Sequence, residues 1–238
     1  MQNETKQTDL DLITLQINTL FHTNAAGRLL SVNEFGEPPA PRFFLGRTKQ
    51  GNIWRFRHDL PAALVAELDA LCRAEPIAQD LTSPPQQYAA IKALLQTYAP
   101  LQNEYRGPCW WIPEGNQPQA NVVLIDQTNF QLLETTFPWV QREEAYATGP
   151  VATTLDQGQG VAICFCSRYP GQATEAGVET LPAFRGKGYA TAAVIAWAAA
   201  VRQRGVLPLY STSWDNLASQ AIARKLGLVF YGEDWSLG

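Results

Sequence analysis

Apolar positions recur at helical spacing in several segments of the chain and at strand spacing between them. Residues 10–21 carry an apolar side chain at every third or fourth position, and two further helical stripes run up to Pro76 and Pro100. Two aromatic-rich runs, residues 42–45 and 53–57, flank a glycine-containing turn and predict a β-hairpin. The first 107 residues therefore predict a small α+β unit.

From residue 108 onward, strand and helix patterns alternate along the chain. Short apolar runs predict strands at residues 122–125, 151–155, 161–167, 174–181, 207–211 and 228–231. Helical stripes predict helices at residues 130–146, 188–204 and 216–226. We therefore predict an N-terminal α+β unit at residues 1–107, whose role stays unassigned, and a larger α+β domain at residues 108–238.

Composition and charge exclude several kinds of protein. The net charge is -4, and a general nucleic-acid binder needs a surplus of Lys and Arg. The polar, acidic opening does not look like a signal peptide, and the weakly polar stretch 190–201 is shorter than the roughly 20 residues that span a bilayer. The four cysteines form no CxxC pair and only two histidines accompany them, so we predict no metal site. We expect a cytoplasmic protein without nucleic-acid or membrane partners.

A glycine loop follows the predicted strand 174–181 and opens an alanine-rich helix; it reads Arg185-Gly186-Lys187-Gly188-Tyr189-Ala190. The first N–H groups of a helix have no partner within the helix and lie at the positive end of its dipole, so a diphosphate can bind there. The glycines let the backbone approach the phosphates, and Arg185 and Lys187 add charge. The spacing fits neither a P-loop nor the dinucleotide fingerprint. Taken alone, the two glycines fit a plain turn equally well.

Two motifs in this half resemble the GNAT superfamily of acyl-coenzyme A-dependent N-acyltransferases. The loop 185–190 matches its pyrophosphate loop, Arg or Gln, any, any, Gly, any, Gly or Ala, at every fixed place. Farther on, residues 213–219 and 225–228 resemble its second coenzyme-contacting motif, in the expected order. The resemblance covers roughly residues 108–238. It implies an N-acetyltransferase that moves an acetyl group from acetyl-coenzyme A to an amine by direct transfer.

The resemblance also implies a fold and a set of coenzyme contacts. The fold is a mixed, curved sheet that splays open beside the strand carrying residues 175–181, with the pantetheine arm in the gap. The backbone of Val178, Thr180 and Leu181 would bind that arm like an extra strand. The loop would bind the diphosphate through Arg185, Gly186, Lys187, Gly188, Tyr189 and Ala190. Asn216 would contact the amides of the arm, although a plain helix cap explains this residue as well.

Acyl transfer needs a deprotonated amine, a polarised thioester carbonyl and a proton for the departing thiolate. A backbone N–H near residues 178–180 is our candidate for polarising the carbonyl. By the resemblance, Glu175 lies near the place of a catalytic base. Glu179 shares its face if the strand is regular, whereas a bulge at Gly177 would reverse that. A solvated or salt-bridged glutamate is the competing interpretation for both carboxylates.

One position departs from the family. The place where many of its members carry a tyrosine acid, seven residues after the asparagine, is Ala223 in this chain. Ser219, one turn earlier on the same helix face, is our second catalytic candidate and a possible contact of the sulfur. The missing tyrosine keeps open the alternative of a non-catalytic acyl-coenzyme A sensor. Aromatic residues around Trp139 favour a small-molecule or amino-acid-like amine as the acceptor.

Overall fold

The structure is a computed structural model that describes residues 7–115, 117, 121–140 and 148–238. The helices are α1 (Asp9–Leu20), α2 (Ala62–Ala74), α3 (Tyr88–Tyr98), α4 (Gln131–Glu134), α5 (Tyr189–Gln203) and α6 (Leu217–Lys225). The strands are β1 (Phe21–Thr23), β2 (Leu29–Val32), β3 (Phe43–Arg47), β4 (Asn52–Phe56), β5 (Glu104–Trp111), β6 (Val122–Leu124), β7 (Ala152–Asp156), β8 (Gln159–Cys166), β9 (Ala173–Thr180), β10 (Leu207–Ser211) and β11 (Val229–Leu237). Among these described residues, no helix has both the length and the apolar character needed to cross a membrane.

The chain forms two compact units that are not continuous in sequence. The first unit comprises the described part of Met1–Cys109 together with Thr212–Asn216 and Phe230–Gly238. The second unit comprises the described part of Trp110–Ser211 together with Leu217–Val229. The domains expected at residues 1–107 and 108–238 are continuous segments, and that assignment stays a prediction.

In the first unit, α2 and α3 pack on a sheet in which β3 lies between β4 and β11. Both neighbours run antiparallel to β3. The core between helices and sheet contains Phe43, Leu68, Ile91 and Trp235, all fully buried. Strand β11 extends to Leu237, well beyond the strand predicted at residues 228–231. The sequence did not reveal this length because the charged pair Glu233 and Asp234 resembles a strand end, although both are buried.

The start of α3 differs from the prediction. The capping-box spelling at residues 83–86 suggests a helix start at Ser83, but the helix begins at Tyr88 and has no side-chain cap. Instead, the buried carboxylate of Glu75 accepts hydrogen bonds from the backbone N–H groups of Gln86 and Gln87, at 2.9 and 2.7 Å. A residue from the preceding helix therefore supplies the cap, which local sequence rules do not reveal.

In the second unit, a sheet in the order β10-β9-β8-β7-β6 has a helix on each face. Strands β9 and β10 are parallel and the other recorded pairs are antiparallel, which confirms the predicted mixed α+β sheet. The alanine-rich α5 packs on one face through Ala193, Val194 and Trp197. On the other face, α4 is only one turn long, where the sequence predicts a helix at residues 130–146. Pro138 interrupts the helical hydrogen bonds there, and residues 141–146 lie outside the described residues.

The sheet of the second unit opens between β9 and β10. The two strands pair from Leu207–Ala173 to Leu209–Glu175, and the recorded pairing ends there. Beyond this point β9 continues to Thr180, paired with β8 alone among the described strands. The register between β8 and β9 shows no bulge. The splayed sheet that the resemblance implies is therefore present.

Candidate functional site

The backbone groups of two residues of β9 face the opening between β9 and β10. The C=O of Glu175 accepts from Ser167 N at 2.8 Å, and the N–H of Leu181 donates to Val161 O at 3.0 Å, so the odd-numbered residues point their backbone groups toward β8. In a regular strand the even-numbered residues point the opposite way. The backbone groups of Val178 and Thr180 therefore face the opening, and their contact with a coenzyme stays a prediction.

Leu181 is placed differently from the other two predicted backbone contacts. Its N–H is donated to Val161, and its C=O accepts from Phe184 N at 2.9 Å. Both backbone groups of Leu181 therefore bond to the protein. This residue ends β9 and begins the turn that leads into the glycine loop.

The glycine loop combines left-handed backbone with a basic side chain from another helix. Gly186 and Gly188 have φ values of +76° and +88°, a region that favours glycine. Ala192 donates the first helical bond, to Gly188 O at 3.1 Å, so the N–H groups at the start of α5 precede the helical ladder. A Cβ atom at Gly188 would lie 3.5 Å from the Nζ of Lys225 on α6. The loop thus offers an anion both backbone N–H groups and a nearby ammonium group.

Tyr189 fixes the start of α5 to strand β7. Its hydroxyl donates to Asp156 Oδ1 at 2.7 Å, and its C=O accepts from Thr154 Oγ1 at 2.9 Å. The hydrogen bond to Asp156 raises the pKa of the phenol, and burial adds to this effect. The side chain of Tyr189 therefore positions the loop, and any coenzyme contact of this residue would come from its backbone.

A buried carboxylate lies on one face of the sheet, where the opening begins. Glu175 is only 5% exposed, and the hydroxyl of Ser211 on β10 donates to its Oε1. Because β9 has no bulge, Gly177 and the exposed Glu179 share this face. The phenyl ring of Phe165 covers Gly177, since a Cβ atom there would lie 2.5 Å from that ring. The predicted base thus sits at the start of the opening.

Two hydroxyl groups lie on the opposite face at the same level. Tyr210 is the first residue of β10 beyond the last pair with β9, and it is 1% exposed. Its Oη lies 2.5 Å from Ser219 Oγ and 3.3 Å from Ser219 O. Burial raises the pKa of Tyr210 to about 12. Ala223 belongs to the same buried core and brings no acidic group there.

Sequence reasoning did not select Ser211 or Tyr210. Both belong to a run of three hydroxyl residues, 210–212, at the carboxyl end of a strand predicted correctly. Ligands of open α/β sheets bind beyond the carboxyl ends of parallel strands, and this rule was the available signal. The strand that pairs with it could not be known from sequence, so this rule could not select a particular ligand site.

The remaining predicted residues have mixed surroundings. Trp139 is 44% exposed and packs edge-on against Phe165, with ring centroids 5.3 Å apart. Phe137 is fully buried between α4 and the sheet, so it is a core residue. Asn216 is exposed, its N–H donates to Ser213 O at 3.1 Å, and it belongs to the first unit. Its coenzyme contact stays a prediction.

Comparisons with known proteins were made on sequence and on structure. A family model described as GNAT acetyltransferase matches residues 124–234, slightly less than half of the chain. No curated protein matches the sequence. A GNAT-family acetyltransferase from Novosphingobium aromaticivorans is similar in structure, with 18% identity, TM-score 0.47, and coverage of 58% of this chain and 66% of that one.

Two more solved structures show a similar degree of likeness. A GCN5-related N-acetyltransferase-like protein from Streptococcus suis has 17% identity and TM-score 0.47, with 84% of this chain and 85% of that one covered. An aminoglycoside N-acetyltransferase in complex with CoA has 18% identity and TM-score 0.37, with 44% of this chain and 89% of that one covered. The assignment rests on the family model. The match of residues 124–234 to the GNAT acetyltransferase model supports an acyltransferase domain in this part of the chain.

Proposed function

We propose that the chain transfers the acetyl group of acetyl-coenzyme A directly to the amine of a small-molecule or amino-acid-like acceptor. One observation carries this proposal: β9 and β10 part after the pair Glu175–Leu209, and the gap runs beside β9 toward the glycine loop. An extended ligand can bind along such a strand through its amide groups. The buried carboxylate stands where the gap begins.

The coenzyme is held in this proposal by groups of three kinds. The N–H groups of the loop bind the diphosphate, with charge added by Arg185, Lys187 and Lys225. The backbone of Val178 and Thr180 binds the pantetheine arm, with Leu181 at its edge. Asn216 and Ser219 complete the predicted set. The left-handed glycines and the ammonium group beside Gly188 fit an anionic ligand of this kind.

Glu175 acts as the base in this proposal. It accepts the proton of the attacking amine, directly or through water, and the bond from Ser211 holds the carboxylate toward the opening. A backbone N–H of residues 178–180 polarises the thioester carbonyl. The carboxylate and the polarising group come from one strand, so their spacing is set by regular β geometry.

The acceptor enters from the face that carries Glu175. The exposed ring of Trp139 and the ring of Phe165 form an apolar surface there, and Glu179 adds a second carboxylate on the same face. An ammonium group is attracted both to carboxylates and to the face of a tryptophan ring. These features favour a small amine with an apolar body. The cytoplasmic location inferred from the sequence stays a prediction.

The catalytic part is tested by thiol release from acetyl-coenzyme A over a panel of small amines and amino acids. With an accepted amine, Glu175→Gln should lower kcat by about 10²- to 10⁴-fold while acetyl-coenzyme A still binds. Glu179→Gln is the matched control on the same face: its kcat should stay near wild type, and any loss should appear in the KM of the amine. Binding without thiol release for any amine would favour the sensor alternative.

The coenzyme part is tested by titration calorimetry with acetyl-coenzyme A. Gly188→Glu should abolish binding, because it places a carboxylate beside the phosphates. Gly158→Glu is the matched control, since Gly158 is also left-handed, with φ +81°, and lies at the tip of the β7–β8 hairpin with open space around it. Absence of heat at millimolar ligand, or unchanged affinity in Gly188→Glu, would contradict the proposal.

A further inference from the structure

We propose that Tyr210 is a positioning residue for acyl transfer, whose phenol orients the hydroxyl of Ser219 toward the sulfur of the departing coenzyme. This inference rests on the proposed function. Glu175 serves the attacking amine and not the departing thiolate, on which a new negative charge develops. A hydrogen-bond donor placed at a developing charge stabilises the transition state.

The position of Tyr210 fits the end of the pantetheine arm. An arm that starts at the glycine loop and runs along β9 passes Thr180 and then Val178. Ala176 lies four residues before Thr180, about 13 Å along the strand at the usual rise per residue. The end of the arm therefore reaches Ala176. Ala176 is next to the last β9 residue that pairs with β10, and Tyr210 is the first β10 residue beyond that pair. The phenol therefore lies level with the expected thioester.

The base and the hydroxyl pair lie on opposite faces of the sheet. In a parallel pair, residues in register point their side chains to the same face, so Leu209 and Ser211 share the face of Glu175. Tyr210 points to the other face and packs in the core beneath α5 and α6. In this proposal a thioester in the opening meets the Glu175 carboxylate on one side and the Ser219 hydroxyl on the other.

The short contact between the two hydroxyl groups has a preferred direction. Either hydroxyl can donate across this 2.5 Å contact; in our proposal the phenol of Tyr210 donates to Ser219 Oγ, because a phenol is more acidic than an alcohol. The serine then directs its own hydrogen to an acceptor other than Tyr210. Ser219 is less buried than Tyr210. The phenol keeps its hydrogen at neutral pH because burial raises its pKa to about 12.

The step balances without a further reactant. The amine nitrogen bonds to the carbonyl carbon, the C–S bond breaks, and the electron pair goes to sulfur. Glu175 takes the proton of the amine. The Ser219 hydroxyl donates a hydrogen bond to the thiolate, which takes its proton from water after release. Tyr210 acts through Ser219 and does not touch the reacting atoms.

The experiment needs no acceptor and uses coenzyme A and acetyl-coenzyme A as probes. A free thiol has a pKa near 8.5, and a donated hydrogen bond favours its thiolate. Titration calorimetry between pH 7 and pH 9 should therefore show coenzyme A gaining about tenfold in affinity relative to acetyl-coenzyme A, the size of a hydrogen bond to a charged group. Tyr210→Phe and Ser219→Ala should abolish this gain, and Ser219→Thr should keep it. Acetyl-coenzyme A affinity should change by less than about twofold in Tyr210→Phe, because Tyr210 does not contact the coenzyme.

Other titrating groups near Tyr210 do not imitate this result. Cys164 and Cys166 face it from β8 in the same core, and burial raises the pKa of both thiols. The basic side chains of α6, Arg224 and Lys225, are both exposed. Tyr231→Phe is the matched control, because that phenol is equally buried and donates to Gln16 Oε1 at 2.8 Å.

Two outcomes would overturn the inference alone. The wild type could bind both probes with a ratio of affinities that does not change with pH, or Tyr210→Phe could keep the full gain. A protein that binds neither probe would contradict the proposed function, and this inference with it. The calorimetric signal of acetyl-coenzyme A in the wild type separates these cases.

Discussion

The two compact units use basic side chains in opposite ways. In the first unit, Arg47 is 2% exposed and donates to Glu233 at 2.7 Å, and Arg106 reaches the same carboxylate at 2.6 Å. Trp214 adds a third donor to Glu233, at 2.7 Å. In the second unit, Arg185, Lys187 and Lys225 are exposed around a glycine loop. The buried cations are matched by a carboxylate within the fold, whereas the exposed cations beside the glycine loop are accessible to an anion from solution.

Removing the shared carboxylate of the first unit is expected to have the largest effect. Glu233→Ala removes the buried anion that Arg47 and Arg106 share and leaves Arg47 with the longer, 3.7 Å ion pair to Glu75. Breaking a buried ion pair in this way costs about 3–5 kcal/mol of unfolding free energy. Urea denaturation measures the loss. Arg73→Ala removes an exposed ion pair with Asp69 and should cost less than about 0.5 kcal/mol. Equal losses for the two variants would show that burial does not decide the role of these charges.

The second unit also contains a buried titratable group, but its partner is neutral. Tyr210 has a folded pKa of about 12 and an unfolded pKa near 10. Below pH 10 the phenol is protonated in both the folded and the unfolded state, so it adds no pH dependence to the unfolding free energy. Between pH 10 and pH 12 only the unfolded state ionises, and unfolding free energy falls by about 1.4 kcal/mol per pH unit from this group.

The Tyr210→Phe variant removes that contribution. Urea denaturation at pH 9, 10 and 11 should show a shallower fall of stability with pH in the variant than in the wild type. Tyr98→Phe is the control for the loss of an exposed phenol, because Tyr98 is 47% exposed. A wild-type slope in Tyr210→Phe would mean that the phenol ionises as readily in the folded protein as in the unfolded chain.

The sequence predicted what depends on local motif and strand pattern. The glycine loop, the strands on both sides of the opening and the position of Glu175 all follow from runs of neighbouring residues. It missed what depends on partners distant in the chain. Ser211 meets Glu175 through a strand pairing across 36 positions, and Glu75 caps α3 from the preceding helix. Side-chain pattern does not encode such pairings, because many partners satisfy the same local pattern.

The two predicted catalytic residues show the same division. Glu175 and Ser219 were proposed from the resemblance, and what surrounds each of them was not. The bond from Ser211 and the contact with Tyr210 depend on the register of β10, which only the folded sheet defines. The catalytic roles of Glu175 and Ser219 stay predictions. The sequence did not single out Tyr210, and its burial in the folded structure made it a candidate positioning residue.

The smallest expected effect concerns Lys225, an exposed cation near the glycine loop of the second unit. Lys225→Met should leave unfolding free energy within about 0.5 kcal/mol, because the side chain is exposed. Its affinity for acetyl-coenzyme A should nevertheless fall about fivefold, since an ammonium beside Gly188 makes a charge-assisted contact with a diphosphate. The loss should shrink at high salt, because exposed charges are screened.

Arg224→Met is the matched control for this variant. Arg224 precedes Lys225 on α6 and is equally exposed, so it changes the net charge by the same amount. If Lys225 acts by proximity to the loop, only its own variant weakens binding in low salt. If both variants weaken binding equally, the coenzyme responds to the general charge of α6. The cation nearest the glycine loop would then have no special role, and the comparison between buried and exposed cations would reduce to net charge.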